Sequence, residues 1–426
     1  MKPIARRVSS SLVDCGKTPT AIIPIPPWRE KDLLLFVFKL SGAGCAEHLK
    51  PMDECTSGSN IGEGRPAGPR ANPATPVAGQ TCVVTVTYGD RFHLLKKVVD
   101  AAFASGVRTI VVVDNASSPP SQSAIQGLEA QWARRVAVIR FPQNQGSAGG
   151  YKAGLIYARE CSGCDYIWLL DDDNRPDPDA LAALSRHYLD LSQTISRDGL
   201  AVVSLREQMG DLFKVAIGEP VAAVFPPRSS FSGFHLFDVR KQLRKLARQA
   251  RPSGKRRATN VSVSKVYSEP VLIPFCPYGG LFFHLDVLDK VGYPDERLFL
   301  YGDDNEFTWR FTRRGGRLFL VPGSVVEDLD NAWRSTRDER EPFFSTHLLS
   351  PDDFRVYYRV RNQVHFEHQE WINNRAVYAV NKWSYLTLMW LWSRRLNKGE
   401  RFKLILRAVR DGEQGSFGPA KLVCSP

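Results

Sequence analysis

The chain has no stretch of about 18 uncharged apolar residues, so a standard transmembrane helix is not expected. Its apolar run Leu33–Phe38 is far too short to span a bilayer. Met1–Arg7 is basic, but no apolar h-region follows it, which argues against a cleavable signal peptide. Cysteine is scarce: eight in 426 residues, scattered from Cys15 to Cys424, do not make a disulfide scaffold. Only Cys161-Ser-Gly-Cys164 has metal-ligand spacing, and no second pair or histidine set accompanies it, so zinc is disfavoured and a reduced, cytoplasmic protein is expected. Walker A and G-x-G-x-x-G loops are both missing, which argues against P-loop and Rossmann dinucleotide sites.

Charge is present in excess. Lys and Arg number 57 against 45 Asp and Glu, a net charge of +12, and 43% of residues are hydrophobic, ordinary for a globular protein. Nine of the cations fall between Arg240 and Arg257 with no acid among them, a segment suited to phosphate, anionic lipid or nucleic acid, or simply to solvent. Residues 1–80 hold ten of the 28 prolines, and 56–80 are rich in Gly, Pro, Ala and Ser. That composition reads as a low-order leader and linker.

From Cys82 the pattern becomes regular. Apolar strands are expected at Cys82–Thr87, Thr109–Asp114, Val136–Phe141 and Tyr166–Leu170, alternating with helices of which the first buries Leu94, Leu95, Val98, Val99 and Ala102. This predicts an α/β fold with a mostly parallel sheet covered by helices on both faces. Ligands of such sheets sit at the carboxyl ends of strands. Polar residues stand there. Asp114-Asn115 ends the second strand. Asn144-Gln-Gly146-Ser-Ala-Gly149-Gly150 follows the third, where glycines can admit a ligand or simply make a tight turn. Asp171-Asp172-Asp173 follows the fourth; three adjacent carboxylates are costly unless a cation joins them, and in an extended chain Asp171 and Asp173 would share one side. Asp303-Asp304-Asn-Glu306 opens a helix, where capping explains Asp303 and Glu306 but not Asp304, a candidate general base. Pro277-Tyr278-Gly279-Gly280-Leu281-Phe282-Phe283 reads equally as an acceptor platform or a core turn, and Leu318–Pro322 reads as a strand followed by Glu327, Asp328 and Asp330.

In this order, from Cys82 to about Trp333, the motifs resemble the family 2 inverting glycosyltransferases with a GT-A nucleotide-sugar-binding fold, nearest to a bacterial galactofuranosyltransferase and rhamnosyltransferase-like branch. The resemblance implies a catalytic domain over 81–345 and a helical C-terminal extension over 346–426. It implies that Thr85, Tyr88, Asp114, Asn144, Gly149 and Asp171 line the nucleotide-sugar, and that Asp171 and Asp173 bind Mg²⁺ or Mn²⁺. It also implies that Asp304 is the base and that Glu306 orients it or the acceptor. Asp328 stands where family members often carry a metal-ligating histidine. The implied reaction moves a sugar from a UDP-galactofuranose or dTDP-rhamnose type donor to a glycan or polyprenyl-diphosphate-linked acceptor in cell-surface polysaccharide synthesis, without nucleic acid. A nucleotidyltransferase would want a Gly- and Lys-rich loop where Thr87-Tyr-Gly-Asp-Arg91 offers one arginine, and a non-catalytic basic binding protein would have no use for Asp171–Asp173. Ala376–Ser393, apolar and Trp-rich around Asn381 and Lys382, suits an interfacial helix on an anionic membrane's inner face or a core-packed one.

Overall fold

Short β-branched runs supply the centre of the sheet, because such side chains fill a pleated surface buried on both sides. In the computed structural model, which describes residues 77–132, 135–236, 269–330 and 346–418, β1 (Thr81–Gly89), β2 (Thr109–Ser117), β3 (Val136–Phe141) and β4 (Tyr166–Leu169) alternate with α1 (Phe92–Ala104), α2 (Pro119–Gln131) and α3 (Gly146–Cys161). These four strands pair in parallel in the order β3-β2-β1-β4. The leader up to residue 76 and the basic segment 240–257 lie outside the described residues.

The chain continues through β5 (Asn174–Pro176), α4 (Ala180–Ser192), β6 (Leu200–Leu205), β7 (Val271–Ile273), β8 (Leu281–His284), α5 (Asp303–Arg313) and β9 (Arg317–Asp328). Beyond β4 the sheet departs from the parallel pattern. Strand β8 is antiparallel to both β4 and β6, while β6 and β9 are again parallel. An antiparallel neighbour needs no crossover helix, and the long excursion after β6 enters β8 through the Pro277–Gly280 turn. Strand β9 also runs past Pro322 and carries Glu327 and Asp328 within it, its tail pairing with β5.

Helices cover both faces as expected. Val83, Val112 and the apolar side of α1 form one core, while Val84, Val113, Tyr151 and Leu155 form the other. Each buried valine contributes about 1.5–3 kcal/mol. Glycines set the closeness of α3: a Cβ on Gly150 would lie 2.6 Å from Val86, and one on Gly154 would lie 2.4 Å from Val84. A third core joins α6 (Asp353–Phe366), α7 (Arg375–Arg395) and α8 (Gly399–Gln414), with Val364, Tyr385, Met389 and Ile405 packed together. No helix among the described residues is long and apolar enough to cross a membrane.

Candidate active site

Strand β4 stops at Leu169, and the Asn174 amide donates to the Asp171 carbonyl at 3.0 Å, closing a turn over Asp171–Asn174. The side-to-side alternation expected of an extended chain is therefore replaced by a splayed set of carboxylates. Asp172 accepts from Thr87 Oγ1 at 2.7 Å and from Arg91 Nη2 at 2.9 Å. Arg91 also donates to Asp173 at 2.8 Å and to Asp330 at 2.6 Å. Asp171 accepts from the Tyr151 hydroxyl at 2.7 Å and from Arg206 Nη1 at 3.2 Å. The same Arg206 meets Asp328 at 2.7 Å, and Asn174 Nδ2 bridges Asp173 and Asp328 at 3.0 and 2.8 Å. One network thus joins the ends of β1, β4, β6 and β9.

Its charge balance is strained. Burial, then the charges of Asp171 and Asp172, push Asp173 up to about 7 against the pull of Arg91 and Arg206. Burial also raises Asp172 and Asp328, each opposed by its arginine. The backbone comes very near at Gly279: a Cβ there would lie 1.9 Å from Asn174 Oδ1 and 2.8 Å from Asp171 Oδ2. Only glycine fits, which identifies the Pro277–Gly280 segment as a wall of this site.

Asp304 reaches the same region from α5. The preceding loop contains Phe299, Tyr301 and Gly302 at φ 66°, 64° and 80°. Non-glycine residues in such conformations cost on the order of 1–3 kcal/mol each and persist only when held. Asn362 of α6 holds them, its Nδ2 donating to the carbonyls of Leu298, Leu300 and Tyr301 at 2.8, 2.9 and 2.7 Å. Arg361, fully buried, adds a bond to the Leu298 carbonyl at 3.0 Å and is tied to Asn362 Oδ1 at 2.9 Å. The C-terminal helices therefore fix the entry to α5.

The acids of α5 then diverge. Asp303 turns inward and accepts from Ser147 Oγ at 2.9 Å, while the Phe299 carbonyl accepts from the Ala148 amide at 3.2 Å. Protein groups thus engage the first turn of α3. Glu306 pairs with Arg310 at 2.8 Å beside a cavity shared with Lys152 and Tyr293, so the structure does not group it with Asp304. Asp304 is half-buried, accepts from the Asn305 amide at 2.8 Å and makes no side-chain hydrogen bond among the described residues. Burial lifts it to about 6, the Asn305 amide lowers it, the charge of Asp171 raises it, and Arg206 and Arg359 lower it. These influences place both acidic motifs in one electrostatic neighbourhood.

The expected nucleotide residues lie along β1, β2 and the start of α3. Asp114 is buried opposite Thr87 in the β1–β2 register; its Oδ1 accepts from the Ser117 amide at 2.9 Å, and its Oδ2 has no partner among the described residues. Thr85 Oγ1 and Ser117 Oγ are likewise buried without partners among the described residues. Unpaired buried polar atoms are rare and mark places where a further group is wanted. Tyr88 stands exposed beside Arg91, 5.4 Å from ring centroid to guanidinium. Asn144 Oδ1 accepts from the Gly146 amide at 2.8 Å and from Asn115 Nδ2 at 3.1 Å, so it shapes the loop. Gly149 would strike the Gln145 side chain at 2.8 Å if it carried a Cβ. Sequence reasoning missed Arg206, Asn174 and Tyr151 as parts of the site. Arg206 does stand just past a strand, the position where the other site residues were sought.

Among the described residues no three His, Cys, Asp or Glu side chains converge as a ready cation cage. The donors are nonetheless all oxygen, as Mg²⁺ and Mn²⁺ prefer. Asp173, crowded by two other carboxylates, is only partly offset by Arg91 and Arg206. Asp171, Asp173 and Asp328 are each held by an arginine and a further donor, and their carboxylate oxygens are of the kind a divalent cation takes together with phosphate and water.

Residues 82–196 match the family model described as glycosyl transferase family 2. A galactofuranosyltransferase GlfT1 from Mycolicibacterium smegmatis is 27% identical over 76% of this chain and 97% of its own length. The GlfT1 of Mycobacterium tuberculosis is 24% identical over 69% of this chain and 86% of its own length. Among solved structures, GalNAc-T7 with UDP, GalNAc and Mn²⁺ aligns with 80% of this chain at 15% identity and a TM-score of 0.43, this chain spanning 58% of that one. Staphylococcus aureus TarS 1-349 aligns with 79% at 11% identity and a TM-score of 0.37. Residues 82–196 are thus similar to family 2 glycosyltransferases, the described chain is an α/β fold with added C-terminal helices, and it is a glycosyltransferase similar to galactofuranosyltransferases.

Proposed function

We propose that this glycosyltransferase moves a sugar, with inversion, from a nucleoside-diphosphate sugar to a hydroxyl of a glycan or polyprenyl-diphosphate-linked acceptor in cell-surface polysaccharide synthesis. UDP-galactofuranose is the first donor to consider, since the two relatives described above are named galactofuranosyltransferases; dTDP-rhamnose is the second. The observation that carries the reading is Asp304. It is a carboxylate without a side-chain partner among the described residues, held by a pinned loop, raised to about 6 and facing the charges of Asp171 and Arg206. A general base needs a pKa near the working pH and a free oxygen, and Asp304 has both.

In this reading the buried Thr85, Asp114 and Ser117 receive the nucleoside, with Tyr88 at the rim. Asp304 removes the proton of the acceptor hydroxyl as that oxygen attacks the anomeric carbon from the face opposite the leaving diphosphate. Arg91 and Arg206 hold the acidic cluster in place. A Mg²⁺ or Mn²⁺ ion on Asp171 and Asp173, when bound, supplies the positive charge that a leaving diphosphate requires. Glu306 acts on α5 through Arg310, whose guanidinium also reaches the carbonyls of Val291 and Tyr293. The test is a panel of nucleotide-sugars with lipid-linked and soluble glycan acceptors, the product's anomeric configuration being read by NMR. Transfer from UDP-galactofuranose with inversion is expected. A product that retains the donor configuration refutes the assignment of Asp304.

A further inference from the structure

Helix α7 is apolar on both of its faces. Inward it buries Tyr378, Tyr385, Leu386 and Met389 against α6, α8 and Phe231, and it satisfies its one buried amide, Asn381, on the Ser229 carbonyl at 2.8 Å and the Leu236 amide at 2.9 Å. Outward it presents Trp383, Leu388 and Leu391, which are 60%, 39% and 46% exposed. At 100° per residue these three fall within one 140° sector of the helix. An apolar outer face on a helix already packed on its inner one is not required by the fold, and apolar area of this kind marks a contact.

Charge decides which contact. The 21 residues of α7 contain no acid, and exposed arginines stand at both ends, Arg375 at the first turn and Arg394 and Arg395 at the last. Arg394 lies 5.3 Å from the centroid of Trp390, and Lys382, paired with Glu413 of α8, lies 4.9 Å from that of Trp383. Aromatic rings with cations beside them suit the boundary between headgroups and acyl chains. On the adjoining helix α8, Leu406 and Arg410 are also exposed, while Lys403 is paired with Glu400. The helix is about 31 Å long, but Asn381 and Lys382 interrupt its apolar character, and it is not apolar enough to span a membrane.

We infer that the outer face of α7 docks in the plane of an anionic lipid bilayer, with Trp383, Leu388 and Leu391 in the interfacial layer and Arg375, Arg394 and Arg395 on the headgroup phosphates. This rests on the proposed lipid-linked acceptor only for its purpose: a catalytic domain held flat on a membrane meets such an acceptor at its diphosphate. The α6 helix that positions Asp304 packs against α8 in the same C-terminal unit, so docking and catalysis share a rigid support.

The experiment is sedimentation of the full chain with vesicles of phosphatidylcholine alone and of phosphatidylcholine with phosphatidylglycerol in equal parts. Tryptophan emission is recorded in parallel. Wild type is expected to bind the anionic vesicles with a blue shift and to bind the neutral ones at least about tenfold more weakly, as headgroup attraction requires. The Trp383→Ser/Leu391→Ser variant should lose at least about tenfold in vesicle affinity, as removal of that apolar area predicts, while keeping its melting temperature and its transfer to a soluble acceptor. The Arg394→Gln/Arg395→Gln variant should reduce the preference for phosphatidylglycerol. Vesicle binding unchanged in both variants overturns the inference. So does a wild-type dimer in solution that the apolar variant converts to monomer, since a second copy then covers the face. Vesicle binding is read without any sugar transfer, so a failed donor assignment and a failed docking surface give different results.

Discussion

Replacing Asp304 by Asn removes the proposed base while keeping the size of the side chain and its bond from the Asn305 amide. With Asp304 near 6, about nine-tenths of the enzyme is ionised there at pH 7 and about one-tenth at pH 5. Wild-type kcat/KM should therefore fall roughly tenfold between pH 7 and pH 5 along a single acid limb. The Asn variant should lose about 10²–10⁴ in turnover at pH 7, the usual span for general base catalysis, and its residual rate should show no limb near 6. The electrostatic surroundings sharpen this. Because the charge of Asp171 raises Asp304 and that of Arg206 lowers it, Asp171→Asn should move the limb to lower pH and Arg206→Met to higher pH. Nucleotide release measured across pH 4.5–8, with calorimetric titration of the nucleoside diphosphate as a control, separates chemistry from binding. Donor binding is expected to be unchanged in the Asn variant. A variant with near wild-type turnover, or with an intact limb near 6, would refute the assignment of Asp304 and the shared neighbourhood of the two acidic motifs.

Two further predictions concern the supports of the site. Asn362→Leu removes three bonds to the 298–301 loop; at about 1 kcal/mol net per bond, stability should fall by roughly 2–4 kcal/mol, and kcat should fall more than donor affinity. Unchanged kcat with lowered stability would reduce Asn362 to a purely structural role. Arg206→Met leaves Asp328 and Asp171 without their guanidinium and should cost about 3–5 kcal/mol in denaturant melts. Adding Asp328→Leu should recover part of that loss, with a coupling of about 1–3 kcal/mol. Strict additivity of the two substitutions would show that the pair does not interact.

The parallel half of the sheet was legible because each strand is a contiguous apolar run followed by a polar residue. Val136–Phe141 was read with its observed bounds, and the buried side of α1 was read residue by residue. Helix α2 begins at Pro119-Pro120, a pair that opens a helix as readily as it makes a loop. Strand β9 continues through Pro322-Gly323, a pair that reads locally as a break, because its later residues pair with β5. The antiparallel β8 left no trace in a pattern that reports burial and not direction. The carboxylates were visible because they cluster in sequence. Their guanidinium partners were not, since Arg91 and Arg206 join acids from 35 to 239 positions away.

The arrangement of those arginines bears on the chain's basic surplus. Within the site, Asp171, Asp172, Asp173, Asp328 and Asp330 face two guanidiniums, Arg91 and Arg206, so the cleft is acidic although the chain as a whole carries +12. A nucleoside diphosphate brings more negative charge to a place that already pushes Asp173 to about 7. In the proposed reading a cation that arrives with the donor offsets this repulsion. The charge of Arg359 on α6 also lowers Asp304. The surplus positive charge outside the cleft, at the ends of α7 among the described residues, is free of that duty. It fits a second anionic surface, spatially separate from the diphosphate. An enzyme joining a soluble anionic donor to an acceptor embedded in an anionic layer needs both: an acidic cleft that admits the donor with its cation, and basic ground outside it that holds the layer.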